Sequence, residues 1–127
     1  MNEKQKRKFD LEDRLIDFAV QIIEISESLN NSRAGNHIGG QIVRSGTSPA
    51  LHYGEAQSAE SRNDFVHKLK VLLKELRETL VALKIIQRVS LTKKSDIVEK
   101  GIIECNELIS IFVKSIDTAK KNIDKKQ

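Results

Sequence analysis

The residues of this chain that could do chemistry are few, and their spacing argues against most of it. None of the three histidines, His37, His52 and His67, has the carboxylate-paired spacing of a helical zinc or di-iron site. Glu55 and Glu104 fall outside the Glu-x-x-His pattern of di-metal bundles, so no metal is expected. Gly39, Gly40 and Gly46 lack a preceding strand and a Lys-Ser/Thr ending, which leaves no phosphate cradle and no cofactor. Ser45, Thr47 and Ser48 carry hydroxyls, but no histidine or lysine stands where it would activate one. Beside Pro49, such hydroxyls more often bond back to helical carbonyls. The single cysteine, Cys105, lies on an apolar stripe and reads as a buried structural thiol. No catalytic constellation emerges, and the chain is expected not to be an enzyme.

Charge offers a second kind of chemistry. The chain has 22 Lys and Arg against 18 Asp and Glu, a net charge of +4 and a pI near 9.2. That balance allows polyanion binding without requiring it. Basic residues gather at both ends: Lys4, Lys6, Arg7 and Lys8, then Lys120, Lys121, Lys125 and Lys126. With Arg44 they are the candidate contacts for RNA or another nucleic acid. Arg44 follows Ile42 and Val43 at the edge of an apolar stripe. Either its stem covers apolar surface or it pairs with a glutamate of a neighbouring helix, and the sequence leaves both open.

The elements that must position these groups are helices. Leu11, Leu15, Phe18, Ile22, Ile25 and Leu29 step by four and three, predicting a first helix over about 10–30 with Asp10 as N-cap. Ile16, Ala19, Ile23 and Ser26 widen its stripe beyond a narrow two-stranded seam, as a bundle helix requires. An Asn-, Ser- and Gly-containing cluster from Asn30 to Asn36 reads as the turn before a second helix, about 37–57. Pro49 is expected to kink it, since a mid-helix proline removes a backbone donor and crowds the preceding turn. Gly39, Gly40 and Gly46 read either as weak helix or as close backbone approach.

Ser61 with Asp64 resembles a capping box for a third helix, about 61–90, whose outward Lys, Arg and Glu read as a solvated face. Thr92 is expected to cap a fourth helix, about 92–122, with a seam from Val98 through Cys105 and Phe112 to Ile123. Val66, Leu73, Leu80, Leu108 and Ile111 fall outside the main seams and are the candidates for subunit or partner contacts. The basic ends, Met1 to Phe9 and Lys120 to Gln127, are expected to fray.

Hydrophobic residues at 39%, charged residues at 31%, one proline and six glycines suit one domain of long helices. The expected fold is all-α, an antiparallel up-down-up-down four-helix bundle with its second helix kinked near Pro49. That order brings both basic ends to one end of the bundle. No apolar run has the length of a signal peptide or a membrane span, so a cytoplasmic protein is expected.

The segment 41–88 also carries a family resemblance. Gln41-Ile42-Val43-Arg44-Ser45-Gly46-Thr47-Ser48 is followed by Tyr53-Gly54-Glu55-Ala56, Ala59-Glu60-Ser61 and Leu73-Lys74-Glu75-Leu76-Arg77-Glu78-Thr79. Together they resemble the four helix bundle protein family, named for members encoded in intervening sequences of bacterial 23S ribosomal RNA genes. The resemblance implies ring-like homopentamers without enzymatic activity. It also points to a related accessory protein of diversity-generating retroelements that binds nucleic acid and a reverse transcriptase. A nucleic acid or a protein partner such as a polymerase is therefore expected. The family motif falls on Arg44, Ser45, Gly46, Thr47, Ser48, Glu55 and Glu75. Relatives often carry Ile-Gly-Ala-Asn where this chain has Pro49-Ala50-Leu51-His52, and a basic residue where it has Gly54.

Overall fold

The computed structural model describes the backbone of residues 3–126 and the side chains of residues 11–123. Four helices follow in order: α1 (Glu3–Ser28), α2 (Arg33–Gln57), α3 (Arg62–Val89) and α4 (Ser95–Lys126). Each packs on its neighbours around a square, α1 on α2, α2 on α3, α3 on α4 and α4 on α1. Short connections and this pairing make an antiparallel four-helix bundle, as the periodicity requires.

The core is apolar and mostly aliphatic. Leu15, Phe18, Ile22 and Ile25 of α1 meet Ile42 of α2, Leu69, Leu72, Leu76, Leu83 and Ile86 of α3, and Leu108 and Phe112 of α4. Phe112 takes the edge of Tyr53 at a centroid distance of 6.0 Å and an interplanar angle of 72°. Two assignments change. Val66 and Leu108, set outside the seams by spacing alone, are buried in the core. Ile16 and Ile23, expected inside, are 46% and 43% exposed. A stripe four residues wide looks the same whether its edge meets a core or a partner.

The helix ends follow their caps. Ser32 caps α2 by accepting from the Gly35 amide at 3.0 Å, so α2 starts four residues before the expected His37. A Cβ at Gly35 would lie 2.0 Å from the Asn30 carbonyl oxygen, so only glycine fits this tight turn. Ser61 caps α3 by accepting from the Asp64 amide at 3.0 Å, the expected half of the capping box. Asp10 does not cap α1, because the helix begins at Glu3, inside the lead-in expected to fray. Lys- and Arg-rich stretches without Gly or Pro are good helix formers even without an apolar stripe.

Thr92 does not cap α4, which begins at Ser95. Its hydroxyl accepts from the Lys94 amide and donates to Ser28 Oγ at 2.9 Å, tying the two loops together. The Asn30 amide bonds the Leu91 carbonyl at 2.8 Å beside it. The α1–α2 and α3–α4 loops therefore share one end of the bundle. The start of α1, the end of α4 and the α2–α3 loop share the other.

Pro49 lies buried inside an unbroken α2. Just upstream, Thr47 Oγ1 donates to the Val43 carbonyl at 2.6 Å and Ser48 Oγ to the Arg44 carbonyl at 2.5 Å. Hydroxyl back-bonds of this kind hold and bend a helix where proline removes a ladder bond.

Candidate functional site

The segment with the family motif forms the α2–α3 seam. Arg44 sits on the solvent edge of α2 and reaches across to two carboxylates one turn apart on α3. Its Nη1 donates to Glu75 Oε2 at 3.0 Å and its Nη2 to Glu78 Oε2 at 2.8 Å. Glu78 and Glu75 raise its affinity for the proton further above the ordinary guanidinium value. Of the two readings of Arg44, the inter-helix ion pair holds. The Glu75 side chain is only 14% exposed, so the expected solvated face gives up this acid to the clamp.

One turn inward, the hydroxyls of buried Ser45 and Thr79 lie 2.8 Å apart. Thr79 Oγ1 is also 2.8 Å from the Glu75 carbonyl. That carbonyl accepts the one proton Thr79 has, so Ser45 supplies the proton between the two hydroxyls. Every polar atom of this buried pair is thereby satisfied, which removes the reason to read Ser45 as a nucleophile.

Gly46 faces α1. A Cβ there would lie 2.6 Å from Ile22 Cγ2 and 2.7 Å from Cγ1, so the two helices meet where no side chain fits. Of the three glycines read as close-approach candidates, Gly46 is one; Gly40 has nothing within 4 Å, and a Cβ at Gly39 would make only ordinary contacts.

Glu55 lies three turns further along α2, with Lys68 Nζ of α3 at 3.2 Å and His52 Nδ1 at 3.6 Å. The hydrogen bond and charge of Lys68 hold its carboxyl below the ordinary range, with His52 adding to them. Arg44 and Glu55 therefore belong to separate pairs rather than to one polar pocket. Cys105 Sγ lies 3.2 Å from the Leu76 carbonyl, and burial pushes its thiol up to about 12. Among the described residues no group of His, Cys, Asp and Glu could hold a metal ion, and no helix is long and apolar enough to cross a membrane.

Sequence reasoning missed a second clamp of the same form. Arg14 of α1 donates through Nε to Glu104 Oε2 at 2.9 Å and through Nη2 to Glu104 Oε1 at 2.7 Å, and it also bonds Glu107. Hydrogen bonding to Glu104 raises its proton affinity most. The available signal was position: Arg14 and Glu104 each adjoin a core residue, Leu15 and Cys105, on helices that must touch.

Of the terminal bases, Lys120 and Lys121 are exposed on α4, and Lys121 pairs with Asp117 at 3.3 Å. Lys4, Lys6, Arg7, Lys8, Lys125 and Lys126 lie outside the described side chains, although their backbones belong to α1 and α4. The topology brings both groups to one end of the bundle. Lys120 also lines an open groove between α3 and α4 with Arg77 and Lys114.

The family model described as "23S rRNA-intervening sequence protein" matches residues 7–114. The chain belongs to that family. A solved structure from Bacteroides thetaiotaomicron, described as a protein of unknown function from the S23 ribosomal protein family, is similar at 31% identity and a TM-score of 0.76. The similarity covers 84% of this chain and 97% of that one. None of the curated proteins matches this chain. Within the intervening-sequence family, then, the motif residues of this member build a clamp and a buried hydroxyl pair on the α2–α3 seam and a close approach of α2 to α1.

Proposed function

We propose that this intervening-sequence protein is a non-enzymatic homo-oligomer, pentameric by its family resemblance, that binds structured RNA or another nucleic acid. The supporting observation is topological. The helix order places the start of α1 and the end of α4, with their eight Lys and Arg residues, at one end of the bundle. An oligomer repeats that end once per subunit and multiplies its field. Neutralised phosphates would release counterions, which supplies affinity without reading bases. Arg44 is a weaker contact than the terminal lysines in this reading, because two carboxylates already take its nitrogens.

The test is reversal of the C-terminal charges, Lys120→Glu with Lys121→Glu, Lys125→Glu and Lys126→Glu. RNA affinity at fixed salt should fall at least tenfold, and its dependence on salt should flatten. Unchanged affinity would leave the other reading, a scaffold for a protein partner such as a reverse-transcriptase-type polymerase. Exposed apolar Leu51 (68%) and Ile103 (55%) favour that reading, as they lie off the basic end.

A further inference from the structure

Two outer faces of the bundle are chemical complements. From Leu11 to Ser28, every exposed residue of α1 is acidic or apolar. Ile16, Val20 and Ile23, each more than 40% exposed, form a ridge pointing away from the core. Asp13, Asp17, Glu24 and Glu27 flank it, and the only base on this stretch, Arg14, is turned sideways to Glu104 and Glu107.

The outer face of α3 has the opposite sign. Lys70, Lys74, Arg77, Lys84 and Arg88 are exposed along it, and its one exposed acid, Glu78, is taken by Arg44. Lys70, Leu73, Lys74, Arg77, Glu78 and Val81 line an open groove there, apolar at its floor. Among the described residues no ion pair engages Lys70, Lys74 or Arg77. The mixed-charge face expected from the sequence is thus a basic one.

The two faces also match in position. α1 and α3 occupy opposite corners of the bundle, run in the same direction and are not packed as neighbouring helices. A Cβ at Gly101 of α4 would lie 3.1 Å from Ile25 of α1 and 3.6 Å from Leu83 of α3, which sets those residues at one height. Ile16 precedes Ile25 by as many residues as Lys74 precedes Leu83, and Ile23 relates to Val81 in the same way. The acidic ridge therefore stands level with the basic groove.

We infer that the groove on α3 receives the α1 ridge of a second copy of this chain, a head-to-tail contact between unlike faces. This rests on the homo-oligomer reading and specifies its interface. Because unlike faces on one chain propagate, and because equal height removes any rise along the axis, the arrangement favours closure into a ring over a helical filament. Apolar contact supplies the attraction, while the opposed charges set partner and register. Closed in this way, the ring would place the basic chain ends of every subunit on one rim.

The test uses surface charge reversals, all at exposed positions, with solution mass as the readout and helix content and melting as the check on folding. Asp17→Lys with Glu24→Lys reverses the ridge; Lys74→Glu with Arg77→Glu reverses the groove. Each pair alone should weaken self-association at least tenfold, and the chain carrying all four changes should assemble again. Wild-type mass in both half-reversed chains, or a four-fold variant that stays monomeric, would overturn the interface while the oligomer stands. A wild-type chain that is monomeric at tens of micromolar would overturn the oligomer reading itself. If the groove reversal lowers RNA affinity and leaves the mass unchanged, a polyanion and not a second copy occupies that face.

Discussion

Two seams of this bundle use the same device and build around it differently. On the α2–α3 seam Arg44 holds Glu75 and Glu78, and on the α1–α4 seam Arg14 holds Glu104 and Glu107. Each arginine bridges carboxylates three residues apart, one of them the less exposed partner. Behind Arg44 lies a buried hydroxyl pair, with a glycine-enforced approach to α1 beside it. Behind Arg14 lie core residues such as Leu15 and Cys105, and the glycine of α4, Gly101, sits against Ile25 rather than under the clamp. An arginine clamp alone therefore does not make a seam specific. What distinguishes α2–α3 is the small, hydroxyl-bearing run Arg44–Ser48, which pairs its buried hydroxyl with α3 and, through Gly46, lets α1 approach from the other side.

The largest expected effect probes that close approach. Gly46→Ala should cost on the order of 1–3 kcal/mol by overpacking against Ile22, despite a gain of up to about 1 kcal/mol in helix propensity. Gly40→Ala meets open space and should raise the melting midpoint instead. Equal effects at the two glycines would erase the contrast.

Next comes the hydroxyl pair. Ser45→Ala and Thr79→Val should each destabilise by about 1–2 kcal/mol, and a double-mutant cycle should show coupling of at least about 0.5 kcal/mol. Additive losses would mean the two hydroxyls are satisfied independently.

The clamps should matter less. Glu104→Gln is expected to lower stability by no more than about 1 kcal/mol, given the exposure of Arg14. Glu75→Gln should also lower the melting midpoint, and both effects should shrink with added salt.

The pH dependence follows from two shifted groups. Cys105 titrates near 9 when unfolded and is held up to about 12 in the fold, so the unfolded chain loses its thiol proton first. Stability is then full below pH 9 and falls as pH rises towards 12, a decline that Cys105→Ala should flatten. The native thiol should not react with alkylating reagents at neutral pH. The smallest effect is at Glu55, whose folded value lies below the ordinary 4.5. Its contribution is present above that value and is lost as acid takes pH through the lowered one, so Glu55→Gln should slightly blunt acid destabilisation.

How much was legible depended on whether a feature is local. The α3 boundaries follow from Ser61 and an unbroken apolar repeat, and the structure moves them by one residue at each end. The α1 start was hidden because a basic run without an apolar stripe gives no periodic signal. In sequence Ser32 reads as part of a turn, since a hydroxyl looks alike in a loop and at an N-cap. The Arg44 pairing was foreseen only as one of two options, and the Arg14 clamp not at all, because its partners lie about ninety residues away in sequence. Ile16 and Ile23 show the deepest limit: helical spacing says which residues share a face and not what that face meets.

The proposed role of this bundle is that of an assembled, polyanion-binding protein. Its most direct test is RNA binding by the purified chain across a salt series, with solution mass measured in the same buffers. The expected result is a species several subunits large whose affinity falls steeply as salt rises. An assembled chain that ignores RNA at low salt would contradict it.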